Sequence, residues 1–474
     1  MRLPDAAESL LQGWHWPLLA LVVLIALLLL GRLIGTRLGM KRWGLPEALL
    51  AGGLGLLVAP AGLLPLVPQP VIDLWNQLPL PLLTLVFASL LLGKPLPQLG
   101  GLWRPLSGQV LLALTLAFGQ FLVGGLAVLL VLQPLLGTSP VMALLIEVAY
   151  EGGHGSAAAM GPTYERLGLE GGQALGLAMA TVGLLASTVV GGLVVVLARA
   201  RSWLSFGAGI PLQQAMEIVV EQTPPLEAIP ADQPLEEGTL ELPAWWRQGA
   251  DWAVNMALAG IAVVIGCGLL AALRWGADRS GGMFAMVIDA LPVFPLALLG
   301  SLLVRLALEK SGQERWVSTP IQSQTGTLAA DLLITAATAC LDLRLLAADW
   351  LPLTVLALAG LLWNLAVVLL LAPRVLPADW FERAILEFGQ ATGVAASGLL
   401  LLRMADPDDR SEAVTAFSIK QLLLQPLLAG GVITVVAPLV VVGWGLPAWT
   451  ALCLVLVLLW IALGLLLARQ AKAS

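Results

Sequence analysis

The chain has 474 residues, 59% of them hydrophobic and 11% charged, with a formal net charge of −6. A soluble globular protein carries about 25% charged residues, so this chain cannot cover its apolar surface in water, and lipid is its natural solvent. No basic patch with interleaved aromatics is present, which excludes nucleic acid as a partner.

Crossing the hydrocarbon core takes about twenty apolar residues. Eleven such stretches follow in order, near 14–34, 46–67, 74–93, 105–132, 171–198, 252–273, 283–304, 323–343, 351–373, 411–442 and 447–468. The first is a retained span rather than a signal peptide. Its positive charges (Arg32, Arg37, Lys41 and Arg42) follow the apolar run, whereas a signal peptide carries them before it. With the N-terminus outside, all 24 Lys and Arg except Arg2, Arg166, Arg274, Arg279, Arg344 and Lys420 fall at cytoplasmic ends or loops, as the positive-inside rule requires. The expected location is a cell membrane, with the C-terminus cytoplasmic.

Between the spans, two apolar segments near 140–161 and 378–404 are interrupted by small residues. Glycine costs about 1 kcal/mol relative to alanine inside a helix. In hydrocarbon, non-helical backbone persists only where protein or water shields it. Each segment therefore reads as a re-entrant hairpin with its turn at membrane depth. The plainer reading is that the glycines allow close helix packing. The stretch 201–247 is polar, holds Pro224, Pro225, Pro230 and Pro234, and shares with its flank the eight acids from Glu217 to Asp251. It reads as a cytoplasmic linker, with Trp245 and Trp246 marking the return to the interface.

The halves on either side of the linker are alike. Glu151-Gly152-Gly153-His154-Gly155-Ser156-Ala157 aligns without gaps on Glu387-Phe388-Gly389-Gln390-Ala391-Thr392-Gly393. Gly191-Gly192 matches Gly430-Gly431, and Leu82-Leu83 matches Leu332-Leu333. The chain divides into a first copy (1–200), the linker (201–247), a second copy (248–442) and an extra C-terminal span with its tail (443–474). Five spans per copy is an odd number, so the second copy lies inverted. The fold class is an all-α polytopic membrane protein: an inverted repeat of five spans and one hairpin each, plus one span.

The glycines and hydroxyls of the two turns are the expected substrate contacts: Gly152, Gly153, His154, Gly155, Ser156, Gly389, Gln390, Thr392 and Gly393. Half-helix N-termini offer free N–H groups to an anion. Carbonyls of the turns and the hydroxyls of Ser156 and Thr392 suit Na⁺, and Glu151 and Asp331 are further candidate sodium ligands. Glu147 and Glu151, one turn apart, are either cation ligands or entrance carboxylates in water. His154 either binds a substrate carboxylate, carries a proton or holds its own turn. Lys420 either snorkels to the cytoplasmic face or neutralises an anion or Asp331. Arg403 reads as an interface anchor, and Asp289 as shallow enough to meet water. Cys267, Cys340 and Cys453 read as small buried hydrophobes, with no metal-like spacing.

The run Glu151-Gly152-Gly153-His154-Gly155-Ser156-Ala157-Ala158-Ala159, with Tyr164-Glu165-Arg166-Leu167-Gly168 after it, resembles the Gly-Gly-His-Gly-Thr/Ser-Ala-Ala stretch of the bacterial sodium/glutamate symporter family. The resemblance implies a ten-span inverted-repeat carrier with paired re-entrant loops, Na⁺ as coupling ion, glutamate as substrate and a homodimer. The second turn has fewer glycines than the family pattern, and the eleventh span is additional. A sodium- or proton-coupled carrier of another amino acid or a dicarboxylate is the alternative. No HExxH or GxSxG motif is present, and an enzyme is not expected.

Overall fold

The structure, a computed structural model, describes residues 3–38, 47–60, 62, 64–92, 103–205, 244–280, 288, 291–341, 347–377, 379–407, 410–425 and 427–473. Most of the linker and Asp289 lie outside the described residues, as do the side chains of Trp245 and Trp246. The described residues are helical, without strands. In chain order the helices are α1 (Leu3–Leu38), α2 (Glu47–Val58), α3 (Gln69–Trp75), α4 (Pro79–Leu90), α5 (Trp103–Ala127), α6 (Gln133–Leu136), α7 (Leu145–Tyr150), α8 (Gly153–Arg166) and α9 (Gly172–Ala200). After the linker come α10 (Ala244–Ser280), α11 (Phe294–Lys310), α12 (Thr319–Ala339), α13 (Trp350–Ala366), α14 (Ala372–Val375), α15 (Trp380–Thr392), α16 (Ala395–Ala405), α17 (Ala413–Leu424), α18 (Val432–Trp444) and α19 (Leu446–Ala473).

Seven helical stretches among the described residues are long and apolar enough to cross a membrane: His15–Leu38, Gln69–Leu90, Leu106–Leu136, Gly172–Ala200, Gly249–Arg279, Trp350–Val375 and Leu446–Gln470. The chain is a multi-pass membrane protein. Its outward faces carry exposed Leu18, Val22, Leu33, Val264, Leu362 and Val455, a surface suited to lipid. Four expected spans are not among these seven: the one near 283–304 holds α11, a helix of 17 residues (Phe294–Lys310), and three others differ as follows. The second is a helix of only 12 residues, α2. The eighth, α12, has 21 residues but carries Gln322, Ser323, Gln324 and Asp331, and packs between α2 and α4.

The third difference corrects the expectation of an unbroken span over 411–442. That stretch is two helices, α17 and α18, with a bend between them. The backbone takes positive φ at Ala429 (53°) and Gly430 (90°). Glycine reaches that conformation at no steric cost, but alanine does not. Its counterpart in the first half, Gly191-Gly192, sits inside the continuous helix α9. The alignment of the two Gly-Gly pairs therefore does not extend to their conformation.

One succession of elements occurs twice. A long helix (α5 or α13) runs into a π-helical turn (Val128–Leu132 or Val367–Leu371), then into a four-residue helix (α6 or α14). Pro134 and Pro373 occupy the same place in those short helices. Proline has no N–H for the preceding turn, and a widened turn absorbs the mismatch. In each half two short helices then meet at a break, α7–α8 and α15–α16.

Helix contacts fall into two groups. α1, α2, α3, α4, α10, α11 and α12 pack among themselves. α5, α7, α8, α9, α13, α15, α16, α17 and α19 form the other, in which the added C-terminal helix α19 lies along α5. Packing of α4 and α12 against α8 joins them.

Candidate functional site

Both broken helix pairs are enclosed by the second group. Every residue from 141 to 151 is buried, and so is every residue from 381 to 393. Gly153 (φ 66°) opens α8 in a conformation that an L side chain resists, which turns the chain between α7 and α8. Val394 opens α16 with an extended backbone, and Ser397 ties the start of that helix by accepting from the Val394 N–H (3.2 Å) and donating to its carbonyl (2.8 Å).

The two breaks meet. Gln390 Nε2 donates to the backbone oxygen of Glu151 (3.4 Å). A Cβ placed on Gly153 would lie 3.5 Å from Val394 Cγ1 and 3.9 Å from the Gly393 carbonyl. Gln390 Oε1 is buried with no hydrogen-bond partner among the described residues. A buried amide oxygen without a donor costs about 1–3 kcal/mol, so it is a place where a ligand donor would be gained.

Three polar side chains from long helices hold the second break. Asn364 Nδ2, beside the π-helical turn of α13, donates to Ala391 O (2.9 Å) and Thr392 Oγ1 (3.0 Å). Gln120 Nε2 from α5 donates to Ala391 O (2.6 Å) and to Asn364 Oδ1 (3.2 Å). Ser187 Oγ from α9 donates to Gly389 O (3.1 Å) and lies 3.0 Å from Ser397 Oγ. Ala391 O is a carbonyl that α15 leaves open at its C-terminal end, whereas Gly389 O also accepts from the Gly393 N–H (3.0 Å). Sequence reading missed Gln120, Asn364 and Ser187. An amide inside an otherwise apolar span is the signal that marks the first two.

Charge enters from one side. Lys420 Nζ lies 2.9 Å from Glu387 Oε2, with both side chains 1% exposed. Gln109 Nε2 donates to Glu387 Oε1 (2.7 Å). This corrects the snorkelling reading of Lys420: its ammonium ends inside the protein, over the Phe417 ring. The Glu151 carboxylate is attracted by Lys420 and repelled by Glu387 across the cluster, and no hydrogen bond reaches it among the described residues. Glu147 is fully buried and bonded to α18, so it is not an entrance carboxylate in water.

The residues expected to bind sodium do not converge. Ser156 Oγ donates to Ala429 O (3.3 Å), and Thr392 is taken up by Asn364. Asp331 makes an ion pair with Arg32 of α1 (2.7 Å), so its charge is met within the first group. Of the expected substrate contacts, Gly152, Gly153 and Gly393 lie at the breaks, and Gly155 opens towards Leu83. His154 Nε2 is 3.1 Å from Thr181 Oγ1, and the ring is 3% exposed. Gly389 is displaced from the turn. A Cβ there would come within 2.2 Å of Gly398 Cα, so this glycine permits α15 and α16 to touch. Arg403 lies in the last turn of α16, half-buried. Cys267 is exposed, Cys340 half-buried and Cys453 buried, so only the last fits the reading of small buried hydrophobes. No cluster of metal-binding side chains is present among the described residues.

No curated protein matches the chain. A solved structure of the sodium proton antiporter MjNhaP1 from Methanocaldococcus jannaschii, at pH 8, is 15% identical over 92% of this chain and 99% of its own, with a TM-score of 0.30, a likeness too slight to carry an argument. Residues 17–204, which contain the first broken helix pair and its Gly-Gly-His-Gly run, match the family model described as sodium/glutamate symporter.

Proposed function

We propose that the chain is a secondary active transporter that carries glutamate, or a closely similar amino-acid anion, together with Na⁺ by alternating access. The observation that carries this reading is the meeting of two broken helices, one from each half, around buried polar atoms that lack partners among the described residues. Such breaks in a membrane are tolerated only where they line a cavity or are covered by protein. The family match over residues 17–204 supports a secondary transporter.

In this reading the halves form an inverted repeat of 1–200 and 248–442, and the breaks are re-entrant hairpins entering from opposite faces. The substrate carboxylates take N–H groups at the starts of α8 and α16, and Gln390 orients them. The α-ammonium faces Glu151, the one carboxylate of the cluster without a hydrogen bond among the described residues. Lys420 does not bind the anion directly, because Glu387 already holds it. The second helix group carries substrate, while α1–α4 and α10–α12 stay fixed and hold a dimer contact. The membrane is a bacterial inner membrane, with the N-terminus outside and the C-terminus inside.

Energetics favour at least two Na⁺ per glutamate. One Na⁺ with one glutamate anion is electroneutral, so only the sodium gradient acts, which gives roughly tenfold accumulation. A second Na⁺ adds its own gradient and about 2.3 kcal/mol per 100 mV, raising the limit to the order of thousands. Uptake of labelled glutamate by the purified protein in liposomes, with Na⁺ replaced by choline at constant pH, tests the reading. Uptake is expected only with an inward Na⁺ gradient and is expected to be electrogenic. Uptake that persists in choline contradicts sodium coupling.

A further inference from the structure

A second polar cluster lies one helical turn from the meeting point, and the transport site described above does not use it. Glu147 of α7 is fully buried, with no Lys or Arg in contact among the described residues. Its Oε1 accepts from Thr434 Oγ1 (2.9 Å) and from the Ala429 N–H (3.4 Å), while Oε2 is buried without a partner among the described residues. The hydroxyl of Tyr164, 1% exposed, is also buried with no partner among the described residues. Among the described residues, the titratable groups that interact electrostatically with Glu147 are Glu151, Tyr164 and Cys453, none of them cationic. A carboxylate in such surroundings has to lose its charge or gain a cation.

The bend between α17 and α18 is shaped around this cluster. Ala429 is held at positive φ although it is not glycine, a conformation that costs about 1–3 kcal/mol and persists only where the surroundings enforce it. That turn aims the Ala429 carbonyl at Ser156 (3.3 Å) and its N–H at Glu147. Gly430 N–H in turn donates to Thr434 Oγ1 (3.1 Å). The oxygens connected here are one carboxylate (Glu147), two hydroxyls (Ser156 and Thr434) and the Ala429 carbonyl, and the Tyr164 hydroxyl is near enough to feel the Glu147 charge.

We propose that Glu147, Tyr164, Thr434 and the bend at Ala429–Gly430 form a binding site for a single monovalent hard cation, one of the coupling Na⁺ ions of the symport proposed above, on which this assignment rests. An all-oxygen set suits a hard cation, and a single full charge balances one positive charge rather than two. Occupancy would tie the bend to α7 and α8, one turn before Glu151. The cation would thereby stabilise the geometry of the substrate-binding breaks without touching the substrate.

The test uses full-length protein purified in detergent, with NaCl exchanged for choline chloride at constant ionic strength, and the same variants in liposomes. Na⁺ is expected to raise the unfolding temperature of the wild type saturably. Glu147→Gln is expected to abolish that rise. Tyr164→Phe removes only an oxygen that makes no hydrogen bond among the described residues, so its unfolding temperature in choline should match the wild type. Its Na⁺ half-saturation should increase about tenfold, the loss of one ligand worth ~1.4 kcal/mol. If Glu147→Gln does not fold, Tyr164→Phe decides alone. A wild-type Na⁺ response in both variants overturns the site, and so does stabilisation that follows pH but not Na⁺. Glutamate uptake by Glu147→Gln with unchanged Na⁺ dependence removes the site and leaves the symport standing. Sodium-independent uptake by the wild type removes both.

Discussion

Replacing Lys420 by methionine keeps the side chain's volume and removes its charge, leaving the Glu387 carboxylate buried beside Gln109 alone. At the 2.9 Å separation of Lys420 Nζ and Glu387 Oε2, an effective dielectric of about 20 gives a Coulomb attraction of about 6 kcal/mol before desolvation. Desolvation of two ions consumes much of that, so the intact pair contributes little net stability. Losing one partner is different, because the remaining charge has neither water nor counter-ion, and the expected cost is about 3–5 kcal/mol. Lys420→Met should therefore lower stability by that amount in mixed-micelle denaturation. Lys420→Met with Glu387→Gln should recover most of it, since a neutral amide at 387 can still accept from Gln109. A double-mutant cycle measures the coupling. If Lys420→Met costs no more than about 1 kcal/mol, as an ordinary substitution does, or if the two changes simply add, the buried pair is not what holds this region.

Other outcomes separate the glycines. Gly153→Leu meets positive φ and the space beside Val394, so it should insert in the membrane and lose glutamate uptake, measured by membrane fractionation and by uptake in liposomes. Gly389→Leu drives a side chain into Gly398 and should fail at folding, seen as loss of monodisperse protein in size-exclusion chromatography. Asp331→Asn should leave the Na⁺ half-saturation of uptake unchanged, because Asp331 is matched by Arg32 in the other helix group. Asn364→Leu strips the donors from Ala391 O and Thr392 and should cost about 1–3 kcal/mol in the same denaturation assay, with weakened glutamate binding.

The sequence disclosed what depends on local composition. Runs of apolar residues marked the spanning helices, and Gly152-Gly153 marked the first break, at Glu151–Gly152; the second break, at Gly393–Val394, falls beyond the aligned Phe388-Gly389, which lies inside α15. It misled where the cause is tertiary. Glu387 and Gly389 align on Glu151 and Gly153, yet their roles differ. Gly389 serves the contact of α15 with α16, and Glu387 meets Lys420, a partner that no spacing could reveal. Asp331 lacked a cation nearby in sequence but finds Arg32, 299 residues away. The bend at Ala429 was hidden because Leu427-Leu428-Ala429-Gly430-Gly431 reads as one more apolar stretch with a glycine pair. The π-helical turns were legible in hindsight, since Leu132-Gln133-Pro134 and Leu371-Ala372-Pro373 put a proline at corresponding points of two long helices.

Accessibility of the two breaks bears most directly on the account. Gly155→Cys and Val394→Cys, each placed in a chain with Cys267, Cys340 and Cys453 replaced, can be probed with a membrane-impermeant thiol reagent in right-side-out and inverted vesicles. Both positions should react, each faster from its own side, and saturating glutamate with Na⁺ should protect them. If neither cysteine reacts from either aqueous phase, the breaks are dry packing defects rather than a path for substrate.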